Sequence, residues 1–318
     1  MRSYREMLSS TWELPLMGFG TALLPYNGDA VEEAIGVALD VGYRHFDTAK
    51  IYASEPAVGR ALGSAIDEGK VEREELFVTS KLWCSDHDDP VMALRQTLQN
   101  LEMEYLDLYL VHWPAKLKPW VCYPVPNEDD FEELDMESTW AGMEKCIELG
   151  LCRSIGISNF SCAKIDRLLD YASIPPAVNQ VEMHPLWRQK KLRQFCLERN
   201  IHVSAYSPLG GPGNSWGSKA VVTDPVIKSI ALKHRATSAQ VALQWGMVQG
   251  SSVIVKSFNR RRMRENMGAL QVTLDEEDLM AVEVLEERKI MRGEFFVSEK
   301  GPYKTISDLW DEDIDCLY

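Results

Sequence analysis

The sequence predicts an α/β protein, a (β/α)8 TIM barrel with long active-face loops and a C-terminal extension, and three observations carry that reading. Asp47, Tyr52, Lys81 and His112, which could move a proton together, fall at or just past the carboxyl ends of three strand-like runs, 42–46, 76–80 and 106–111. Side chains from different strand ends meet only where the strands are parallel and aligned, as in such a barrel. Apolar and β-branched runs alternate with helical patterns along the chain, which argues for a parallel sheet. The length of 318 residues suits one barrel with insertions, and no composition shift or Ser/Gly-rich linker divides it. One domain over 1–318 is expected, with the barrel at about 16–290 and a tail over 288–318.

The first strand is short, 16–18. A helical pattern over 29–41, with Ala30, Ala34, Ile35, Ala38 and Leu39 on one face, leads into the run 42–46. A second helix over 54–66 takes Ser54 as its N-cap. After 76–80 and 106–111 come strands at 153–157, 177–182, 202–206 and 252–255, with helices around 136–149, 163–171, 188–199, 225–233 and 238–248. The segment 116–135 is a long βα loop containing prolines and an acidic end, of a length that is often functional. After Glu287, the aromatic residues Phe295, Phe296, Tyr303 and Trp310 mark either a strap on the outer helices or a lid over the pocket.

Composition removes several classes of function. Hydrophobic residues make up 45% of the chain, ample for a core, yet no run reaches the ~18 apolar residues of a membrane helix. With 48 acidic against 34 basic residues, the formal charge of −14 would repel nucleic acid or an anionic membrane. Seven cysteines, Cys84, Cys122, Cys146, Cys152, Cys162, Cys196 and Cys316, form no CxxC pair, and no signal peptide is evident. A monomer in the reducing cytoplasm is the expectation. The six histidines, His45, His87, His112, His184, His202 and His234, are too dispersed for a metallohydrolase centre, and no metal is expected.

The four strand-end residues suit polarisation of a C=O group while something else attacks carbon. A tyrosine titrates near ~10 and is a poor acid at neutral pH, but a nearby ammonium stabilises tyrosinate and lowers that value. Lys81 can supply the ammonium, and Asp47 can keep it charged against desolvation. His112 can offer an imidazole N–H that orients a carbonyl oxygen beside Tyr52. Each residue alone has a plainer reading, as a core histidine, a helix N-cap aspartate or a solvated lysine. Their co-location is what favours chemistry.

These residues also carry a resemblance. Gly42-Tyr43-Arg44-His45-Phe46-Asp47-Thr48-Ala49 with Tyr52, Ser80-Lys81-Leu82-Trp83, the run from Tyr105 to Pro114 and Ile155-Gly156-Ile157-Ser158-Asn159-Phe160 resemble the aldo-keto reductases, in order and over about residues 16 to 290. The resemblance implies hydride transfer from NADPH, with Tyr52 as general acid, His112 orienting the carbonyl, and Lys81 with Asp47 tuning Tyr52. It places Ser158, Asn159 and Gln180 on the nicotinamide carboxamide and Tyr206 on its ring, where stacking and hydrogen bonds would fix the face presented. The plainer reading of Asn179 and Gln180 is a hydrogen-bonded core pair.

The run Lys256-Ser257-Phe258-Asn259-Arg260-Arg261-Arg262-Met263-Arg264-Glu265-Asn266 is the most phosphate-like stretch, following the eighth strand and opening a helix. By the resemblance, Lys256, Ser257 and Arg262 hold the adenosine 2′-phosphate, and Glu265 and Asn266 the adenine. Gly20, Thr21, Asp47, Ser207, Leu209 and Phe258 complete the implied cofactor set. Arg260, Arg261 and Arg264 read as a solvated face. No Rossmann fingerprint competes, since Gly18-Phe19-Gly20 lacks a third glycine and Gly210-Gly211-Pro212-Gly213 is a loop.

Ser80 to Asp86, Pro175 to Met183 and the tail segments Gly301 to Thr305 and Leu309 to Glu312 are similar to the plant branch of the family that includes chalcone, codeinone and methylecgonone reductases and deoxymugineic acid synthase. Two departures stand out: no floor hairpin is evident in residues 1 to 15, and Lys50-Ile51 replaces the small residues usual before the tyrosine. Lys50 would either alter the pocket charge or face solvent. Trp83 and Trp113 are expected on the rim of the carbonyl site, joined by the 116–135 loop and Phe295 and Phe296, and so to favour a bulky or ring-bearing carbonyl compound of plant specialised metabolism. Broad aldehyde detoxification is one alternative. An NADPH-binding regulatory or structural barrel is another, opposed by the intact set of four.

Overall fold

The structure, a computed structural model, describes residues 5–9, 12–123 and 125–311. Strands β1 (Arg5–Ser9) and β2 (Trp12–Pro15) pair antiparallel. The barrel strands that follow in chain order are β3 (Met17–Gly20), β4 (His45–Asp47), β5 (Phe77–Leu82) and β6 (Leu106–Val111), then, past a small pair β7 (Lys116–Leu117) and β8 (Phe131–Glu132), β9 (Cys152–Ser158), β10 (Val178–Glu182), β11 (His202–Tyr206) and β12 (Ser252–Val255). Neighbouring barrel strands are all parallel, and β9 pairs β10 to close an eight-stranded barrel. The expected architecture is the one found.

Helices surround it: α1 (Gly28–Val41), α2 (Glu55–Asp67), α3 (Pro90–Leu101), α4 (Met136–Glu148), α5 (Cys162–Leu169), α6 (Lys190–Leu197), α7 (Ala220–Thr223), α8 (Pro225–Lys233), α9 (Ser238–Val248), α10 (Arg260–Met267), α11 (Glu276–Glu283) and α12 (Ile306–Trp310). In α1, Asn27 accepts from Ala30 N at 3.1 Å, and Val31, Ala34, Ile35, Ala38 and Leu39 are buried. Gly42 ends it at φ 110, donating its N–H to the carbonyls of Ala38 and Leu39. That left-handed cap is open to glycine at little cost, and it delays the strand to His45 rather than Gly42.

Three expectations need correction. The floor hairpin exists: β1 and β2 carry Leu14 into a cluster with Phe77, Leu108, Leu110 and Val178 at the amino end of the barrel. Its register shifts between Met7 and Ser9, and so short and irregular a pair leaves no alternation to read. Helix α3 stands where no helix was expected. It starts at an Asp89 cap that accepts from Met92 N, with Pro90 in the first turn, but its apolar face is only Leu94, Leu98 and Leu101 among glutamines and an exposed Met92. Ser54 does precede α2, yet its side chain makes no capping bond. The short helices α7 and α12 and helix α11 were also not anticipated.

The tail chooses between strap and lid. Phe296, Leu309 and Trp310 are buried with Trp83, Trp113, Leu117 and Val121, so the segment packs against the carboxyl-end loops of the barrel. Glu182 at the end of β10 fastens it, accepting from Ile290 N and Met291 N at 2.8 Å each. Pro124, Glu312 and Cys316 lie outside the described residues.

The barrel interior is polar in its middle. His45 Nε2 meets Thr79 Oγ1 at 3.0 Å, and His202 Nε2 meets Ser252 Oγ at 3.0 Å. The missing side chain of Gly18 leaves room for the first imidazole, since a Cβ there would lie 2.8 Å from His45 Nδ1. Burial lowers His45, His87 and His202 to about 4 each from the ordinary 6.5. As pH falls through 6.5, the unfolded chain takes up protons that these folded imidazoles refuse. Their contribution to stability is therefore complete above about 6.5 and is lost between there and about 4. Each costs roughly 3 kcal/mol across that window. Urea unfolding at pH 7 and pH 5 should show a marked loss at the lower pH, and His87→Asn should reduce that difference; equal stability at both would contradict neutral buried imidazoles.

Candidate active site

Register brings the carboxyl ends of the strands close together. Gly20 pairs with Asp47, Asp47 with Thr79, Lys81 with Leu110, and Ser158 with Gln180. Asp47 and Lys81 end up in contact, Nζ to Oδ1 at 2.6 Å, with both side chains buried. Lys81 Nζ also donates to the Thr48 carbonyl at 2.9 Å, and Gln180 Nε2 donates to the other carboxylate oxygen, Asp47 Oδ2, at 2.8 Å. Tyr52 stands on a 3-10 turn, Lys50–Tyr52, its hydroxyl 3.5 Å from His112 Nε2. Lys81 Nζ lies 5.1 Å from the centroid of the Tyr52 ring. All four expected residues meet.

Their electrostatics differ in one respect from expectation. Desolvation pulls Lys81 down, but Asp47 and Tyr52 together outweigh it and hold the ammonium above its usual range. His112 is driven well below its ordinary value, first by burial and then by Lys81, so its imidazole is neutral. Lys81 does pull Tyr52 toward ionisation. Burial, helped by Asp47, wins, and the tyrosine is raised rather than lowered. Desolvation of the phenolate was the effect left out of the sequence argument. The consequence is a hydroxyl held protonated at neutral pH, with a cation waiting beside it for the charge that appears once the proton leaves.

The neighbouring strand ends supply polar groups around a ring. Asn159, at φ 65, donates to the His112 carbonyl at 3.0 Å and accepts from Tyr206 Oη at 2.8 Å. Ser158 Oγ donates to the Gln180 carbonyl at 2.7 Å. Gln180 thus belongs to this constellation, whereas Asn179 bonds the Phe160 carbonyl at 3.0 Å and is fully buried. Thr21 is fully buried too, its hydroxyl bonded to the Asp47 carbonyl and to Ser54 and its backbone N–H donating to the same Asp47 carbonyl at 3.0 Å, so it is committed to holding β4.

A dinucleotide fits the next stretch. Lys256 is half-buried, and burial alone pushes its pKa down; its Nζ donates to Asn214 Oδ1 at 2.9 Å, and among the described residues no carboxylate pairs with it. A phosphate would complete that ammonium. Asn259 caps α10 by accepting from Arg262 N at 3.0 Å, and Ser257 Oγ accepts from Asn259 N at 3.2 Å. Arg262 is exposed, Glu265 half-buried, and Asn266 buried. Ser207 (φ 49) and Leu209 are half-buried in the loop after β11, and Phe258 packs edge-on to Phe19 at 6.3 Å. Arg260, Arg261 and Arg264 face solvent, Arg260 pairing with Asp40 at 3.6 Å.

Aromatic residues frame the site. The Trp83 ring is 5.3 Å from that of His112, centroid to centroid, and Trp113 meets Phe295, Phe296 and Trp310 at 5.6, 4.9 and 6.0 Å. Lys50 is partly open to solvent, and its Nζ is held by both oxygens of Asp86 at 2.7 Å, so its charge is offset there. Sequence reasoning missed Asp86, Thr48, Asn214 and Glu182 as participants. Asn214 directly follows the Gly210-Gly211-Pro212-Gly213 loop, which gave no sign of it. Among the described residues, the one grouping with metal-like spacing is His234, Asp275 and Asp278, where Lys233 Nζ already lies 2.6 and 2.9 Å from the two carboxylates. No helix among them is long and apolar enough to cross a membrane.

A barrel end of this kind can hand a proton to a carbonyl oxygen while the carbon is attacked from outside the protein, which is the work of a carbonyl reductase. The chain belongs to the aldo/keto reductase family, whose pattern matches residues 16–287. It is 49% identical over 305 residues to deoxymugineic acid synthase 1 of Oryza sativa subsp. japonica, covering 95% of this chain and 96% of that one. It is 49% identical over 313 residues to the (1S)-1,7-diacetoxy-luvungin A aldo-keto reductase of Citrus sinensis (97% and 98%), and 47% identical over 304 residues to the 7-acetyl-epi-neemfruitin B aldo-keto reductase of Melia azedarach (95% and 94%). The protein is thus an oxidoreductase of carbonyl compounds, and its family in general works with a nicotinamide dinucleotide.

Proposed function

We propose that this protein uses NADPH to reduce an uncharged, ring-bearing ketone or aldehyde of plant specialised metabolism to the alcohol. NADPH, when bound, supplies the hydride to the carbonyl carbon. Neutral His112 presents its Nε2 proton to the carbonyl oxygen and fixes it next to Tyr52. Tyr52 then gives its proton to that oxygen, and the Lys81 ammonium, kept charged by Asp47, stabilises the phenolate left behind. Gln180 holds the second oxygen of Asp47, so the carboxylate cannot turn away from Lys81.

Ser158, Asn159, Gln180 and Tyr206 would orient the nicotinamide. Lys256, Ser257 and Arg262 would take the 2′-phosphate, with Glu265 and Asn266 toward the adenine, which favours NADPH over NADH. The chain would act as a single barrel unit over 1–318, a monomer in the cytoplasm.

The observation that carries the substrate reading is the contact of Trp83 with His112, backed from behind by the fully buried Phe296, whose ring centroid is 6.4 Å from that of Trp83, and by Trp113. An aromatic wall of this sort binds by burying area and leaves orientation to a few polar groups. Cancellation of Lys50 by Asp86 removes a reason to prefer an anion. Two relatives named for specialised plant compounds are in keeping with it. Steady-state kinetics tests the reading: kcat/KM for an apolar cyclic ketone should exceed that for glyceraldehyde or glucose. Equal values would favour general aldehyde detoxification instead.

A further inference from the structure

The loop that carries Tyr52 is closed at its base by two hydroxyls. Thr48, immediately after β4, and Ser54, immediately before α2, flank residues 49–53, and their Oγ atoms lie 2.8 Å apart. Both residues are fully buried. Within the loop, Tyr52 N donates to the Ala49 carbonyl at 3.0 Å, and Ala53 takes a left-handed conformation at φ 56 that an alanine adopts only when its surroundings hold it there. Ser54 Oγ also lies 2.9 Å from Thr21 Oγ1 at the end of β3.

The direction of these bonds follows from counting protons. Thr21 Oγ1 donates its single hydrogen to the Asp47 carbonyl at 3.0 Å, an atom that can only accept. The Thr21–Ser54 bond is then donated by Ser54, and the Thr48–Ser54 bond by Thr48. The result is a one-way chain, from Thr48 to Ser54 to Thr21 to the Asp47 carbonyl, in which every hydroxyl donates once and each bond polarises the next. It joins the ends of β3 and β4 to the start of α2. At its head, Thr48 also offers its own carbonyl to Lys81 Nζ at 2.9 Å. Using Ser54 in this way leaves α2 without a side-chain cap, so the chain exists at the expense of local helix chemistry.

We infer that Ser54 and Thr48 are positioning residues that staple the 49–53 loop and so set the Tyr52 hydroxyl against Lys81 and His112. The inference rests on the reading of Tyr52 as the proton donor. Ser54→Ala and Thr48→Val remove one hydroxyl each at little change in volume, and Thr48→Ser keeps the hydroxyl. Ketone reduction, NADPH affinity by fluorescence titration and thermal unfolding would be measured for each, and for Ser54→Ala in a Tyr52→Phe background.

A misplaced donor costs roughly 10- to 100-fold in kcat. That loss is expected in Ser54→Ala and Thr48→Val with NADPH affinity unchanged, with activity restored in Thr48→Ser, and with no further loss when Ser54→Ala is added to Tyr52→Phe. The staple is overturned if kcat stays at the wild-type value while the melting temperature falls, if both variants fail to fold, or if Ser54→Ala lowers the residual rate of Tyr52→Phe by its own full factor. A Tyr52→Phe enzyme as fast as the wild type would instead remove the proton-donor reading, and the staple's purpose with it.

Discussion

Tyr52→Phe is expected to abolish ketone reduction at neutral pH while leaving NADPH binding nearly intact. The variant removes one oxygen and keeps the ring beside Lys81, so the barrel end is not reshaped. What disappears is the only group in the constellation placed to release a proton: Lys81 is held charged, His112 is neutral, and Asp47 is committed to Lys81 and Gln180. General acid catalysis is worth roughly 10²- to 10⁴-fold, and the loss in kcat should fall in or above that range. Most of the groups proposed to hold the cofactor come from the ends of β9 to β12 and from α10, and none of them bonds the Tyr52 hydroxyl, so titration with NADPH should give a dissociation constant close to the wild-type value. Loss of both properties together would make Tyr52 a structural residue.

The second large effect concerns the choice of cofactor. Replacing Lys256 and Arg262 with methionine should weaken NADPH far more than NADH, since each charge-assisted hydrogen bond to a phosphate contributes roughly 1.5 to 3 kcal/mol. The two residues should not share this equally. Lys256 is half-buried with no carboxylate partner among the described residues, whereas Arg262 is exposed and screened by water. Lys256→Met alone should therefore weaken NADPH by about 10- to 100-fold, with a smaller increment from Arg262→Met. Fluorescence titration with each cofactor decides it: equal losses for NADPH and NADH would show that no 2′-phosphate sits there.

What could be read from the sequence, and what could not, divides along physical lines. The barrel strands were legible because each is a buried apolar run that stops abruptly, and the four site residues because they stand at those stops. Lys81 shows the limit of this, since it lies inside β5 rather than past it, two residues beyond the level of Asp47. Partners that depend on long-range folding were invisible. Nothing near Lys50 in the chain announces Asp86, and nothing near Ser54 announces Thr21, although the residue type at 54 was singled out for the hydroxyl it carries. The tail could not be placed because its aromatic residues would suit either location, and only the grip of Glu182 on the backbone at 290 and 291 fixes it to the active face. The direction of the Tyr52 shift was missed for a different reason: burial and Asp47 oppose Lys81, and which side prevails cannot be settled without the depth of burial.

The proposal that this barrel end transfers hydride from NADPH to a carbonyl carbon is tested most directly by isotope transfer. NADPH deuterated on one or the other face of nicotinamide C4 would be incubated with the enzyme, an apolar cyclic ketone and a chelator, and the alcohol examined by mass spectrometry and NMR. The account predicts deuterium on the former carbonyl carbon from one labelled form only, because Tyr206 and the amides of Asn159 and Gln180 would present a single face. Alcohol formed without deuterium from either form, or no alcohol once the chelator is present, would contradict it.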